Sequence, residues 1–194
     1  MSEPLNSYDI IATKVTENLL TYKVTSNFRT RDPSDEASSL FNGRWYEVQR
    51  TFALVEGGLK CPTTVITEAN NTRMRATFRR NGINILKRRV TLMRGHLHTP
   101  DAKMPAKLEL VMGPLSLFLR YRVIDTNYDD YAVVWGCFES PKYSSILGHT
   151  ENLWILSRNK SLSEDFKERI YGYLDSKDIS RAGLVETNFQ NCTL

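Results

Sequence analysis

The chain has 194 residues, 41% hydrophobic and 25% charged, with a formal net charge of +4. That length fits one domain able to enclose its own core, the positive balance is too mild to expect a nucleic-acid partner, and no apolar run approaches the roughly 18 residues of a membrane-spanning helix. Low-complexity, collagen-like and acidic disordered classes are excluded by the same arithmetic.

Residues 1–39 are polar and end in Arg31-Asp32-Pro33-Ser34-Asp35-Glu36-Ala37-Ser38-Ser39, the chemistry of turns and linkers. A flexible extension is expected there, ahead of a folded unit at 40–194. Ile10, Ile11, Val15, Leu19 and Leu20 partly match a helical face, but the β-branched residues among them leave that segment open. Residues 9–15 are too polar for the apolar segment of a secretory signal, so none is visible.

From 43 to 158 the hydrophobic period is two. Met74, Ala76 and Phe78 alternate with Arg73, Arg75, Thr77 and Arg79; Leu108, Leu110 and Met112 alternate with Lys107, Glu109 and Val111. Leu119, Tyr121 and Val123 alternate with Arg120, Arg122 and Ile124; Ala132, Val134, Gly136 and Phe138 alternate with Tyr131, Val133, Trp135 and Cys137. Successive strand side chains point to opposite faces, so each run offers one apolar face. Turn signals at Asn81-Gly82, Met112-Gly113-Pro114, Asn127–Asp130 and Ser140-Pro141 separate strands expected near 43–54, 63–69, 73–80, 83–93, 107–112, 117–125, 128–139 and 152–158. The period then lengthens. Ser163 precedes Glu164 and Asp165, and Phe166, Ile170, Tyr173 and Leu174 recur at helical spacing, which predicts a helix over 164–176. The expected fold is all-β: an eight-stranded antiparallel up-and-down barrel, closed so that no edge is exposed, with one C-terminal α-helix packed outside.

Three other clusters bear on function. Arg73, Arg75, Arg79, Arg80, Lys87, Arg88, Arg89 and Arg94 form a basic stretch, read as a solvated sheet face, with contact to anionic lipid, a heparin-like polymer or RNA as the alternative. His96 and His98 share one side of a strand, but Asp101 alone is thin support for zinc, so no metal site is expected. Cys61, Cys137 and Cys192 allow at most one internal disulfide and contain no C-x-x-C pair. No Ser-His-Asp or paired-carboxylate arrangement is visible; neither enzyme activity nor a cofactor is expected.

Asn42-Gly43-Arg44-Trp45-Tyr46-Glu47-Val48 resembles the first signature of the lipocalin family, Gly-x-Trp at the start of the first strand. Asp125-Thr126-Asn127-Tyr128 resembles the second, Thr-Asp-Tyr, with Asn127 in place of the middle Asp; Trp154-Ile155-Leu156-Ser157-Arg158 resembles the third. The order and spacing agree, and residues 162–192 are similar to the apolipoprotein D and bacterial lipocalin branch. The resemblance implies a calyx whose closed end is plugged by Trp45, with Arg158 lying across the indole. Gly43, Trp45, Thr126, Asn127, Tyr128 and Arg158 would then serve the fold. It also implies a Cys61–Cys192 disulfide. The family cysteine matching Cys137 pairs with the amino-terminal segment, yet residues 1–60 contain no Cys, a departure from the family pattern. Secretion follows from the resemblance, and the sequons at Asn70, Asn159 and Asn191 matter only in that case.

The inner face then decides the ligand. Met74, Ala76, Phe78, Leu108, Leu110, Met112, Leu119, Tyr121, Val123, Ala132, Val134, Phe138, Trp154 and Leu156 are assigned inward because they are the more apolar set and because Trp154 and Leu156 share the parity that brings Arg158 beneath the barrel. Met74, Phe78, Leu110, Met112, Leu119, Tyr121, Val123, Val134, Phe138, Trp154 and Leu156 are the candidate ligand contacts, and Tyr121 and Glu47 the polar handles. In the resembling branch the tryptophan at the Trp154 position lines the cavity. The small residues Ala76, Ala132 and Gly136 are expected to leave room; Phe52, Leu54 and Leu59 are expected to rim the open end. A mostly apolar calyx suits a fatty acid, sterol, retinoid or tetrapyrrole, since each enclosed methylene contributes about 0.8 kcal/mol. The alternative is a membrane- or protein-surface module using the basic face.

Overall fold

The computed structural model describes residues 41–51, 59–69, 72–84, 89–101, 104, 106–112, 117–139 and 150–192. The amino-terminal extension, Phe52 and Leu54 lie outside the described residues, as do the side chains of Met74, Ala76 and Phe138. Eight strands run β1 (Gly43–Arg50), β2 (Leu59–Ala69), β3 (Thr72–Asn84), β4 (Arg89–His98), β5 (Lys107–Met112), β6 (Leu117–Thr126), β7 (Tyr131–Glu139) and β8 (Thr150–Ser157). They are followed by helix α1 (Glu164–Ser176) and a two-residue strand β9 (Val185–Glu186). Each strand pairs antiparallel with the next, and β1 pairs with both β2 and β8, so the sheet closes into an up-and-down barrel. β9 adds to β1 from outside, opposite Gln49 and Arg50.

The helix has the expected bounds. The Ser163 side chain accepts from the Phe166 amide, and Glu164 and Asp165 occupy the first turn, where the positive end of the helix dipole favours them. Ile170 and Leu174 are fully buried. With Phe166 and Tyr173 they pack on the outward residues Ile124, Tyr131, Val133, Trp135, Cys137, Leu153 and Ile155. Two cores therefore share one wall. Inward residues of β7, Ala132 and Val134, belong to the barrel core, and outward residues Tyr131 and Val133 to the helix core. That is why β7 reads as a near-continuous apolar run.

The strand boundaries correct one sequence expectation. Asn81-Gly82 is not a turn, and 83–93 is not one strand. β3 runs through Asn81 and Gly82, which pair with Leu92 and Thr91 of β4. Gly82 has a packing reason instead: a Cβ there would lie 2.4 Å from Leu59 Cδ1. Leu59 is itself only 8% exposed, buried against β3 rather than rimming an opening.

The tail is strapped along the barrel. Thr187 N donates to Val48 O, Phe189 packs edge-on to Tyr46 at 5.7 Å, and Cys192 is bonded to Cys61 across 131 residues. Cys61 sits at a β2 register irregularity with φ of 58°, a bulge that re-aims one side chain. Cys137 keeps its thiol on the outward face, buried beneath the helix core.

Two outcomes are expected. Replacing Cys61 and Cys192 together by Ser should lower unfolding free energy by about 2–5 kcal/mol, read from urea midpoints. Gly82→Val should cost about 1–3 kcal/mol by overpacking; a neutral effect would mean Leu59 does not occupy that space.

Candidate functional site

The closed end is built from the three sequence signatures. Trp45 is fully buried, its indole N–H donates to Phe41 O at 2.9 Å, and the Arg158 guanidinium lies 3.5 Å over its ring. Arg158 Nε donates to Tyr128 O and Nη1 to Arg44 O, both at 3.0 Å, while its backbone amide donates to Asp130 O. One cation thus ties β1, the β6–β7 turn and the end of β8. Burial lowers its pKa, with Asp129 opposing. Gly43 is required twice over: its φ is +100°, and a Cβ would sit 3.1 Å from Arg158 Nη1.

The departure at Asn127 leaves the turn intact. Asn127 Oδ1 accepts from the amides of Asp130 and Tyr131, at 2.9 and 3.0 Å, and its Nδ2 donates to Asp130 Oδ2. An amide oxygen does what a carboxylate would, and the NH2 adds a bond that Asp cannot make. Thr126 Oγ1 accepts from Tyr128 N and donates to Tyr131 O. Beside the turn, the Tyr131 hydroxyl donates to Asp125 Oδ2 at 2.8 Å. Burial nevertheless raises the Asp125 pKa, with the Tyr131 hydrogen bond opposing it.

Above this floor the inner face is apolar. Phe78, Leu108, Leu110, Met112, Leu119, Tyr121, Val123, Ala132, Val134, Trp154 and Leu156 share one buried cluster with Trp45. Of the eleven candidate contacts, the described side chains therefore all belong to the inner cluster; those of Met74 and Phe138 lie outside the described residues. Sequence reading missed Phe41, Ile66 and Leu97, which complete it. An aromatic pile rises from the floor: Phe41 lies 5.2 Å from Trp45, and Tyr121 lies 6.4 Å from Phe41, 6.3 Å from Phe78 and 6.4 Å from Trp154. Gly136 does not leave the room expected of it, because the Trp154 ring occupies the space, 2.6 Å from where a Cβ would be.

Both expected polar groups are buried, Tyr121 within the aromatic pile and Glu47 in a cluster of charges. Glu47 is 2% exposed and receives the guanidinium Nη2 of Arg80, itself 4% exposed. Thr64 Oγ1 donates to the other Glu47 oxygen at 3.3 Å, and Arg50 Nη1 lies 3.9 Å from the carboxylate. Arg80 thus leaves the solvated basic face to which the sequence reading assigned it. The signal was present, since Arg79 and Arg80 are adjacent on a strand and one must share the inward parity of Phe78. Arg79 and Arg94 are exposed as expected. His96 is exposed and His98 half-buried, 3.9 Å from Glu109, and no metal-binding group of three occurs among the described residues.

A closed antiparallel barrel with a cation-capped indole floor and an apolar inner face is the architecture of a ligand-enclosing calyx. Residues 42–191 match the family model of the Lipocalin / cytosolic fatty-acid binding protein family, and the chain belongs to that family, a family of ligand-binding barrels rather than enzymes. It is 29% identical to apolipoprotein D of Mus musculus over 157 residues, covering 77% of this chain and 75% of that one. It is 25% identical to the Lazarillo protein of Schistocerca americana over 166 residues, covering 82% and 73%. The solved structure of insecticyanin from the tobacco hornworm Manduca sexta superposes with a TM-score of 0.64 at 24% identity, covering 79% of this chain and 80% of that one. No described helix is long and apolar enough to cross a membrane.

Arg158→Lys keeps the charge but loses the planar stack and the forked bonds; it should cost about 2–3 kcal/mol and red-shift Trp45 emission. Asp125 gives a pH test. A carboxylate whose folded pKa lies above its unfolded value binds more protons when folded, so its ionisation erodes stability as pH rises through that range. Asp125→Asn should therefore match or exceed the parent's Tm at pH 7, with the difference vanishing as pH falls towards 4; a parent that stays ahead at pH 7 would contradict the assignment.

Proposed function

We propose that the protein is a carrier that encloses a small hydrophobic molecule, a fatty acid, sterol, retinoid or tetrapyrrole, inside its barrel. The observation that carries this reading is the continuous apolar inner cluster from Trp45 to Trp154, sealed at one end by Arg158. Phe78, Leu110, Met112, Leu119, Tyr121, Val123, Val134, Trp154 and Leu156 are the proposed contacts, joined by Met74 and Phe138. Apolar burial and a few oriented polar groups suffice for such binding. The relatives named apolipoprotein D support a lipid-class cargo. The Cys61–Cys192 disulfide supports an extracellular setting, because such bonds persist in oxidising compartments.

One observation favours a second reading. On the outer wall away from the helix, Val90, Leu92 and Val111 are 61%, 40% and 37% exposed, and Arg79 and Arg94 stand directly opposite each other. An anionic membrane surface would meet both features, and that contact would be salt-sensitive.

Mass spectrometry of the organic extract of purified protein should find a small apolar compound in near-stoichiometric amount. Titration with a fluorescent fatty acid should quench tryptophan emission, and Trp154→Phe should abolish most of the quenching while Trp45 and Trp135 remain. Salt-sensitive vesicle binding without any ligand-dependent quenching would favour the second reading.

A further inference from the structure

Three Asn-x-Ser/Thr sequons occur in the chain, at Asn70, Asn159 and Asn191, and they differ in what surrounds them. Asn70 lies outside the described residues, as does Thr193, the hydroxyl residue of the third sequon. The third is also pinned: its middle residue, Cys192, is bonded to Cys61, which is fully buried. Asn159-Lys160-Ser161 is described throughout, and all three residues are exposed.

These residues lie in the bend that joins β8 to α1. The main chain of that bend is fixed from both sides. Arg158 N donates to Asp130 O, Asn159 N to Ser157 Oγ, and Ser157 Oγ to Ser161 O, while Leu162 sits in the core beneath the helix. The Asn159 side-chain amide and the Ser161 hydroxyl make none of these bonds, nor any other with the described residues. The backbone is thus held while the two groups that define the sequon face solvent. Chain direction places the bend at the closed end of the barrel. It follows the Ser157 end of β8, beside Arg158, whereas that strand starts at Thr150, roughly 25 Å away along the barrel.

Resting on the extracellular reading, which the Cys61–Cys192 disulfide supports, we propose that Asn159 is an N-glycosylation site whose glycan stands on the closed end of the barrel. The co-reactant is a lipid diphosphate-linked oligosaccharide of the secretory pathway, handled by a transferase that reads the Ser161 hydroxyl. Asn159 Nδ2 forms a bond to C1 of the first sugar as the bond from C1 to the diphosphate oxygen breaks. The lipid diphosphate leaves with that electron pair, and one amide proton passes to a base. An exposed bend admits such a bulky, solvated group without disturbing the packing beneath it.

The test takes the full-length protein from its own cells, with thiols alkylated during denaturing lysis, and maps the peptide that contains residue 159. Peptide-N-glycosidase in heavy-oxygen water should convert Asn159 to a labelled Asp. Asn159→Gln and Ser161→Ala should each lose one glycan-sized step in gel mobility, while Ser161→Thr should retain it. Unlabelled Asn159 in protein whose Cys61–Cys192 bond is intact overturns the site and leaves the extracellular reading standing. Unlabelled Asn159 with Cys61 and Cys192 both alkylated overturns the extracellular reading and the site with it.

Discussion

Arg158 stacked on Trp45 is the contact from which the rest of the architecture follows. An indole at the end of a barrel closes it only if something covers its outer face, and a guanidinium covers it while bonding the carbonyls of Arg44 in β1 and Tyr128 in the β6–β7 turn. Gly43 has no Cβ to obstruct that approach. The positive φ of Tyr128, 67°, belongs to the turn whose carbonyl meets Arg158 Nε. A lysine could supply the charge but not the plane. Beside this floor β1 and β8 pair antiparallel, with one register shift between Glu47 and Gln49, and their pairing closes the sheet.

Closure creates two surfaces that need covering, and the sequence solves them separately. The inward surface covers itself across the barrel. The outward surface of β6 to β8 and β1 is covered by α1, anchored by Ile170 and Leu174 and oriented by bonds from Tyr173 to Ile124 O and between Tyr171 and Gln49. The tail then returns over β1 and is fastened at Cys61. The opposite wall, β3 to β5, carries exposed Arg79, Arg94, Leu92 and Val111 instead. One flank of the barrel is therefore structural, and the other is the flank available to solvent and to any surface.

Inside, aromatic packing and buried charge stand side by side. Trp154 fills the notch above Gly136, so the lower interior is a platform of rings rather than a void. Next to that platform stands a carboxylate held between two guanidiniums. That cluster places charge beside an otherwise apolar interior.

By itself the sequence determined the eight barrel strands in number, the helix and its cap, and the inward parity of Trp154 and Leu156, because each rests on local periodicity, while the floor residues came from the resemblance of three short signatures to the lipocalin family and the short strand β9 was not anticipated. Even Asn127 was legible in retrospect, as a side chain that caps its own turn. Only the tertiary structure decided that Gly82 lies within a strand, that Gly136 is filled by Trp154, and that Arg80 turns inward to Glu47. Those three outcomes depend on side chains from other strands, Leu59, Trp154 and Glu47, and a one-dimensional pattern cannot say which neighbours a closed sheet will bring within reach.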